Sequence, residues 1–185
     1  MLAIKPQCSL KAARHYFQEH LTVGDYYSEG QQVPGHWFGT GAEQLGLLGV
    51  TSMEAFVRLC ENTHPQTGEQ LTPRQNTTRT DIGHDGQERQ NGNRRVFYDF
   101  TFSPAKSVSI AALAGNDPRI VEAHEQAVTE ALRQLQSFAA TRVRRRGEYA
   151  DRPTGNLVAA VFRHETSRAL DPHLHSHCIL FNATF

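Results

Sequence analysis

Residues 156–182 read NLVAAVFRHETSRALDPHLHSHCILFN, two apolar runs separated by a polar stretch and carrying four of the chain's ten histidines. The β-branched and aromatic content of 156–164 and 173–182 predicts two strands, with the stretch between them reversing the chain. Within the second run His173, His175 and His177 alternate with Leu174, Ser176 and Cys178. Alternate residues of a strand point to one side, about 6.6–6.8 Å apart along it, so two of these imidazoles can converge on one ion. His164 ends the preceding strand and supplies a third nitrogen if the two strands pair. Three neutral imidazoles that leave coordination positions open describe a catalytic metal site rather than a closed structural one. His173 fits a polar strand end as readily as a ligand role.

Upstream, residues 96–102 (VFYDFTF) predict another strand. Phe97, Asp99 and Thr101 share one face, and Val96, Tyr98, Phe100 and Phe102 share the other, which reads as the packed side. A carboxylate in mid-strand among aromatics needs a partner, and the N–H of a ligand imidazole is the expected one. Ser103-Pro104 should cap a helix that stops at Gly115. Asp117-Pro118 should start a longer helix running to Arg142, Arg144, Arg145 and Arg146 before Gly147, with the cations at the negative end of its dipole. Ser9 reads as the N-cap of a short helix over 9–19, where Leu10, Ala13, Tyr16 and Phe17 recur at helical spacing. Residues 36–49 are punctuated by glycine and lead into a helix over 52–61, capped by a Thr51/Glu54 box. The segment 61–94 is polar, with Leu71 and Ile82 nearly its only aliphatics, and reads as a long loop. Strands interleaved with helices, without a strict βαβ series, indicate an α+β fold in one domain spanning 1–185.

The 19 Lys and Arg residues equal the 19 Asp and Glu residues, so no global field attracts a polyanion. Sixteen of the cations are Arg, and the balance shifts from −3 over residues 1–92 (7 basic, 10 acidic) to +3 over 93–185 (12 basic, 9 acidic). Local arginine clusters would therefore make any phosphate contacts. No apolar run approaches the roughly 20 residues of a membrane span, and the N-terminus lacks a signal-peptide core, which assigns the chain to a cytoplasm. Three scattered cysteines (Cys8, Cys60, Cys178), odd in number, argue against a disulfide framework, and cysteine metal-site spacing is absent. The phenols of Tyr16, Tyr26 and Tyr27 could attack phosphorus, as covalent catalysis requires, although packing is the commoner role of each taken alone. Trp37 is the one large stacking candidate, with burial in the core as its alternative fate.

His164-Glu165-Thr166-Ser167-Arg168, followed by Asp171-Pro172-His173-Leu174-His175-Ser176-His177, resembles the three-histidine motif of the MobF-type conjugative relaxases, members of the HUH endonucleases. Three further stretches agree in order: Asp99–Ser103 through Lys106-Ser107-Val108-Ser109, Trp37 through Gly49, and the N-terminal tyrosines. The resemblance implies an antiparallel sheet flanked by helices with the metal on one sheet face. It also implies a metal-dependent transesterase that nicks one strand of DNA at a plasmid transfer origin and stays linked to the 5′-phosphate through tyrosine. On this basis His164, His175 and His177 match the metal ligands, Tyr16 the nicking tyrosine, Asp99 the acidic residue beside the ligands, and Tyr26 and Tyr27 the second tyrosine pair. Lys106 and Arg168 become candidate DNA contacts. The implied cofactor is one divalent ion, magnesium or manganese, for which zinc or nickel can substitute. The implied partners are single-stranded or hairpin origin DNA, a C-terminal helicase domain and the conjugation machinery, and the implied cytoplasm is a bacterial one. The sequence departs from the pattern at Phe17, where a second tyrosine often follows the first, and at His173, where a different polar residue is expected. The chain ends at Phe185, earlier than such domains, and so reads as their N-terminal part. A rolling-circle replication initiator shares this chemistry. A DNA-binding remnant without activity and a three-histidine hydrolase of small substrates are the readings from other classes.

Overall fold

The two histidine-bearing runs form strands β8 (Val158–Thr166) and β9 (Pro172–Phe181), which pair antiparallel with Phe162 opposite His177 and His164 opposite His175. In this computed structural model, residues 1–7, 10, 13, 16, 34–72, 77–82, 84, 86–92, 94–145, 147–167 and 169–185 are described. On the far side of β9 lies β5 (Phe97–Phe102), with Thr101 opposite His177 and Asp99 opposite Ile179. Strand β1 (Leu2–Gln7) closes that edge against β5, and β2 (His36–Phe38) closes the other edge against β8. The sheet is five-stranded and antiparallel throughout, in the order β1-β5-β9-β8-β2.

Both faces of this sheet are packed. On one face Phe97, Val158, Ala160, Phe162, Ile179 and Phe181 meet Ala42 of helix α1 (Thr40–Gln44) and Phe56, Leu59 and Cys60 of helix α2 (Met53–Cys60). Phe56 stands edge-on to Phe97 and Phe181, with centroids 6.0 and 5.1 Å apart. Phe56, Phe97 and Phe162 are fully buried, and each such side chain contributes about 1.5–3 kcal/mol of transfer free energy. On the other face Val161 and Cys178 meet Val128 and Leu132 of the long helix α4 (Pro118–Ser137), and Phe100 and Phe102 pack against that cluster. Helix α3 (Lys106–Leu113) lies against β9 beside it. The expectation that only the Tyr98/Phe100 side is packed is therefore corrected. Phe97 is 1% exposed, so the Asp99 face carries aromatic core as well, and it opens at the histidine end and along the β1 edge.

Several boundaries differ from the sequence reading. Asp117 caps α4 as expected, accepting the Arg119 N–H, but the helix stops at Ser137. Its supposed arginine-rich end is strand β6 (Ala140–Arg145), hairpin-paired with β7 (Glu148–Pro153). Thr141 and Val143 alternate with arginines there, a period-2 pattern, and Gly147 takes the φ of +91° that the tight turn requires. Helix α2 is capped by Ser52, whose Oγ accepts from Ala55 N, and not by the Thr51/Glu54 box. Helix α3 begins after Ala105, because Ser103 is still bonded to the sheet edge through Met1. The segment 61–94, expected as a long loop, contains a two-stranded ribbon of β3 (Thr78–Ile82) and β4 (Glu88–Gly92). Gly39 has a φ of +105°, and a Cβ there would lie 2.2 Å from the Leu157 carbonyl oxygen, so glycine lets the start of α1 sit against β8. Leu10, Ala13 and Tyr16 are helical, in keeping with the predicted N-terminal helix, whereas its proposed cap Ser9 lies outside the described residues. Among the described residues no helix is long and apolar enough to cross a membrane.

Candidate metal and nucleophile site

Strand alternation puts His164, His175 and His177 on the same sheet face as Asp99 and Thr101, where the aromatic core ends. The three ring centroids form a nearly equilateral triangle: His164 to His175 is 5.1 Å, His164 to His177 5.3 Å, and His175 to His177 5.2 Å. Imidazole nitrogens bonded at about 2.0–2.1 Å to one tetrahedral ion would hold their ring centroids about 5.2 Å apart. As placed, no three His, Cys, Asp or Glu donors among the described residues already surround a common point. The spacing nonetheless fits, since turning a ring about χ2 redirects its nitrogens while its centroid moves little.

Hydrogen bonds fix two of the tautomers. His175 Nδ1 lies 2.8 Å from the His173 carbonyl oxygen, and His177 Nδ1 lies 3.0 Å from both carboxylate oxygens of Asp99. A carbonyl and a carboxylate can only accept, so both Nδ1 atoms carry the proton and both Nε2 lone pairs are left for a metal. Burial, above all, pushes His175 down to about 4, against the raising effect of the His173 carbonyl and with help from neighbouring histidines. It is therefore neutral near pH 7, as ligation demands.

Asp99 is 3% exposed. Burial raises its carboxyl pKa, but the hydrogen bond and charge of His177 and the hydroxyls of Tyr16 and Thr101 outweigh that and hold it below the ordinary value. The Tyr16 phenol donates to Asp99 Oδ2 and also lies 3.2 Å from His177 Nδ1. Its ring stands edge-on to Phe97, 5.5 Å away, so the aromatic core sets the phenol's direction. Tyr16, Asp99, His164, His175 and His177 thus come together from a helical segment and three strands.

The remaining candidates are elsewhere. The His173 ring stacks on His175 at 4.5 Å, outside the triangle, and its backbone carbonyl makes the useful contact. Lys106 donates to the Pro172 carbonyl at 2.9 Å. Trp37 packs against Phe181, 6.1 Å between centroids, as a partly buried core residue. Tyr26, Tyr27 and Arg168 lie outside the described residues. The sequence reading put Thr101 on the Asp99 face without giving it a role; its hydroxyl lies 3.3 Å from both Asp99 Oδ1 and His177 Nδ1. The i, i+2 spacing to Asp99 was the available signal.

The sequence profile of the TrwC relaxase family matches residues 10–185. The multifunctional conjugation protein TraI of Escherichia coli K12 is 40% identical over 184 residues, an alignment that takes in 100% of this chain and 10% of TraI. A metal-bound structure of the conjugative relaxase TrwC in complex with oriT DNA superposes with a TM-score of 0.75 at 33% identity, covering 100% of this chain and 57% of that one. A copper-bound TrwC–oriT complex gives 0.76 at 33% identity, covering 100% and 58%. TrwC with a 27-mer DNA comprising the recognition hairpin and the cleavage site gives 0.73 at 30% identity, covering 100% and 56%. The chain thus spans about a tenth of TraI and somewhat over half of the solved TrwC chains.

Proposed function

Because the chain belongs to the TrwC relaxase family, we propose that it carries the nicking centre of a conjugative relaxase, which cuts one DNA strand at a plasmid transfer origin and holds the 5′ end covalently. The observation that carries this reading is the Tyr16 phenol hydrogen-bonded to Asp99 beside three converging imidazoles. His164, His175 and His177 would hold one divalent ion. When bound, that ion would neutralise a scissile phosphate and the charge that develops in the transition state. Magnesium or manganese is the expected physiological ion, and the metal-bound and copper-bound structures of TrwC support a divalent-ion site.

Tyr16 Oη would attack phosphorus in line. The Oη–P bond forms as the P–O3′ bond breaks, and the leaving oxygen takes up a proton to become a 3′-hydroxyl. Asp99 already accepts the phenol's hydrogen bond and would receive its proton. The phosphotyrosine keeps the energy of the broken diester for rejoining. Tyr26 and Tyr27 would serve a second strand transfer, and Arg168 a backbone phosphate. The protein would work in the bacterial cytoplasm alongside a helicase domain and the conjugation machinery.

A 3′-labelled single strand covering the transfer origin of the encoding replicon tests this. Incubated with the protein and manganese, its labelled 3′ part should move onto the protein as a denaturation-resistant band. Binding without an adduct would indicate a DNA-binding remnant, and neither binding nor adduct would overturn the reading.

A further inference from the structure

Strand β5 pairs with β9 only as far as Phe102 opposite Ser176, and then Ser103 turns away to bond Met1 and Pro104 ends the strand. The next N–H of β9 on that side, that of the buried Leu174, would be an orphan next to a ligand histidine, and the more exposed Pro172 carbonyl lies one rung beyond it. The first turn of α3 takes them instead. Ser109 Oγ, fully buried, accepts the Leu174 N–H at 3.2 Å, and Lys106 Nζ donates to the Pro172 carbonyl at 2.9 Å. One rung further on, His124 of α4 hydrogen-bonds the buried Ser176 Oγ at 2.9 Å. Residues 172, 174 and 176 are thus held from behind, while 173, 175 and 177 face the site.

We propose that Lys106 and Ser109 are positioning residues: the Lys106-Ser107-Val108-Ser109 turn replaces a missing strand and fixes the backbone from which His175 reaches the metal. The inference rests on the proposed metal site. It reassigns Lys106, whose ammonium directs one of its three donors at a backbone carbonyl, from phosphate contact to strand clamp. The His173 carbonyl that sets the His175 tautomer lies between the two clamped groups, so slack at either would loosen the ring as well as the backbone.

Ser109→Ala, Lys106→Met and Lys106→Arg in the full chain supply the test, read three ways. Amide exchange at Leu174 should quicken at least tenfold in Ser109→Ala, with core amides such as Ile179 unchanged. Calorimetric manganese affinity should fall roughly tenfold in Ser109→Ala and Lys106→Met, the lower end of what loss of a ligand's support costs, and recover in Lys106→Arg. The salt dependence of binding to labelled oligothymidylate should be unchanged in Lys106→Met, since no phosphate contact is lost. A salt slope reduced by about one with manganese affinity intact would make Lys106 a phosphate contact and overturn its assignment. Unchanged Leu174 exchange in Ser109→Ala would overturn the clamp. Wild-type protein that binds no manganese would overturn the metal reading and the positioning role together, and normal Leu174 protection in that protein would separate this from failure of the clamp.

Discussion

Tyr16 and Asp99 stand 83 residues apart in sequence, yet the phenol of one donates to the carboxylate of the other, and both reach the Nδ1 atom of His177. The proposed nucleophile, proton acceptor and ligand orienter therefore form one connected set, and perturbing Asp99 reaches both the tyrosine and the proposed metal site. Burying an ionised carboxylate to 3% exposure is tolerable only because three donors satisfy it.

Asp99→Asn keeps the shape but replaces one accepting oxygen with a donor, so His177 loses its charged anchor and Tyr16 its proton acceptor. Nicking should slow by about 100-fold or more, while manganese affinity stays within roughly tenfold, because Asp99 supports a ligand without being one. Calorimetry combined with single-turnover cleavage checks both; unchanged cleavage would refute the role.

Alanine at His164, His175 or His177 should each abolish most manganese binding, whereas His173→Ala should retain it. His173 contributes through its carbonyl, which alanine preserves, and the stacked ring is the only group lost. Tight titration of manganese into His175→Ala would sink the ligand assignment.

Stability of the metal-free chain should fall as pH drops from about 6.5 toward 4. His175 is held at about 4 against an ordinary 6.5, so in that window the unfolded chain binds a proton that the folded chain refuses. His36, His124 and His173 are lowered too, each first by burial, and act in the same direction. Asp99, also lowered, adds a loss at still lower pH, beginning below its ordinary 3.8. For His175 the full shift corresponds to about 3 kcal/mol, which solvent screening of a partly exposed ring reduces to about half. Thermal melts from pH 7 to pH 4.5 should show a falling midpoint, less steep in His175→Asn; a flat profile would contradict the burial argument.

The histidine triangle was legible because it depends on one rule, strand alternation, applied to two runs joined by a short reversal. Asp99 was legible for the same reason, as a misfit carboxylate on a definable face. The Tyr16–Asp99 contact was not, since no periodicity links residues that far apart, and the resemblance gave each a role without pairing them. Strand β6 was misread because a run of arginines before glycine imitates a helix end, although Thr141 and Val143 already alternated. Strand β1 went unread: it is six residues long with Pro6 inside, which an edge strand tolerates and a sequence pattern does not advertise. Ser109 and Lys106 gave no local sign of their role, because what they satisfy is the early end of β5, a property of the assembled sheet.

Tyr16→Phe removes one oxygen from a partly buried ring whose packing is set by Phe97. The ring contact survives, so the fold and single-strand binding should persist, with a melting temperature within a few degrees of wild type. A phenol with an ordinary pKa near 10 needs an acceptor at neutral pH, and Asp99 holds that position in the wild type. Without the hydroxyl no phosphotyrosine can form, so the adduct should vanish rather than weaken. Tyr26→Phe and Tyr27→Phe should leave the first adduct intact and affect only a second transfer. Mass spectrometry of the trapped nucleotide–peptide should find the phosphate on Tyr16. Finding it on Tyr26 or Tyr27, or an undiminished adduct from Tyr16→Phe, would move the nucleophile and leave the Tyr16–Asp99 bond a packing feature.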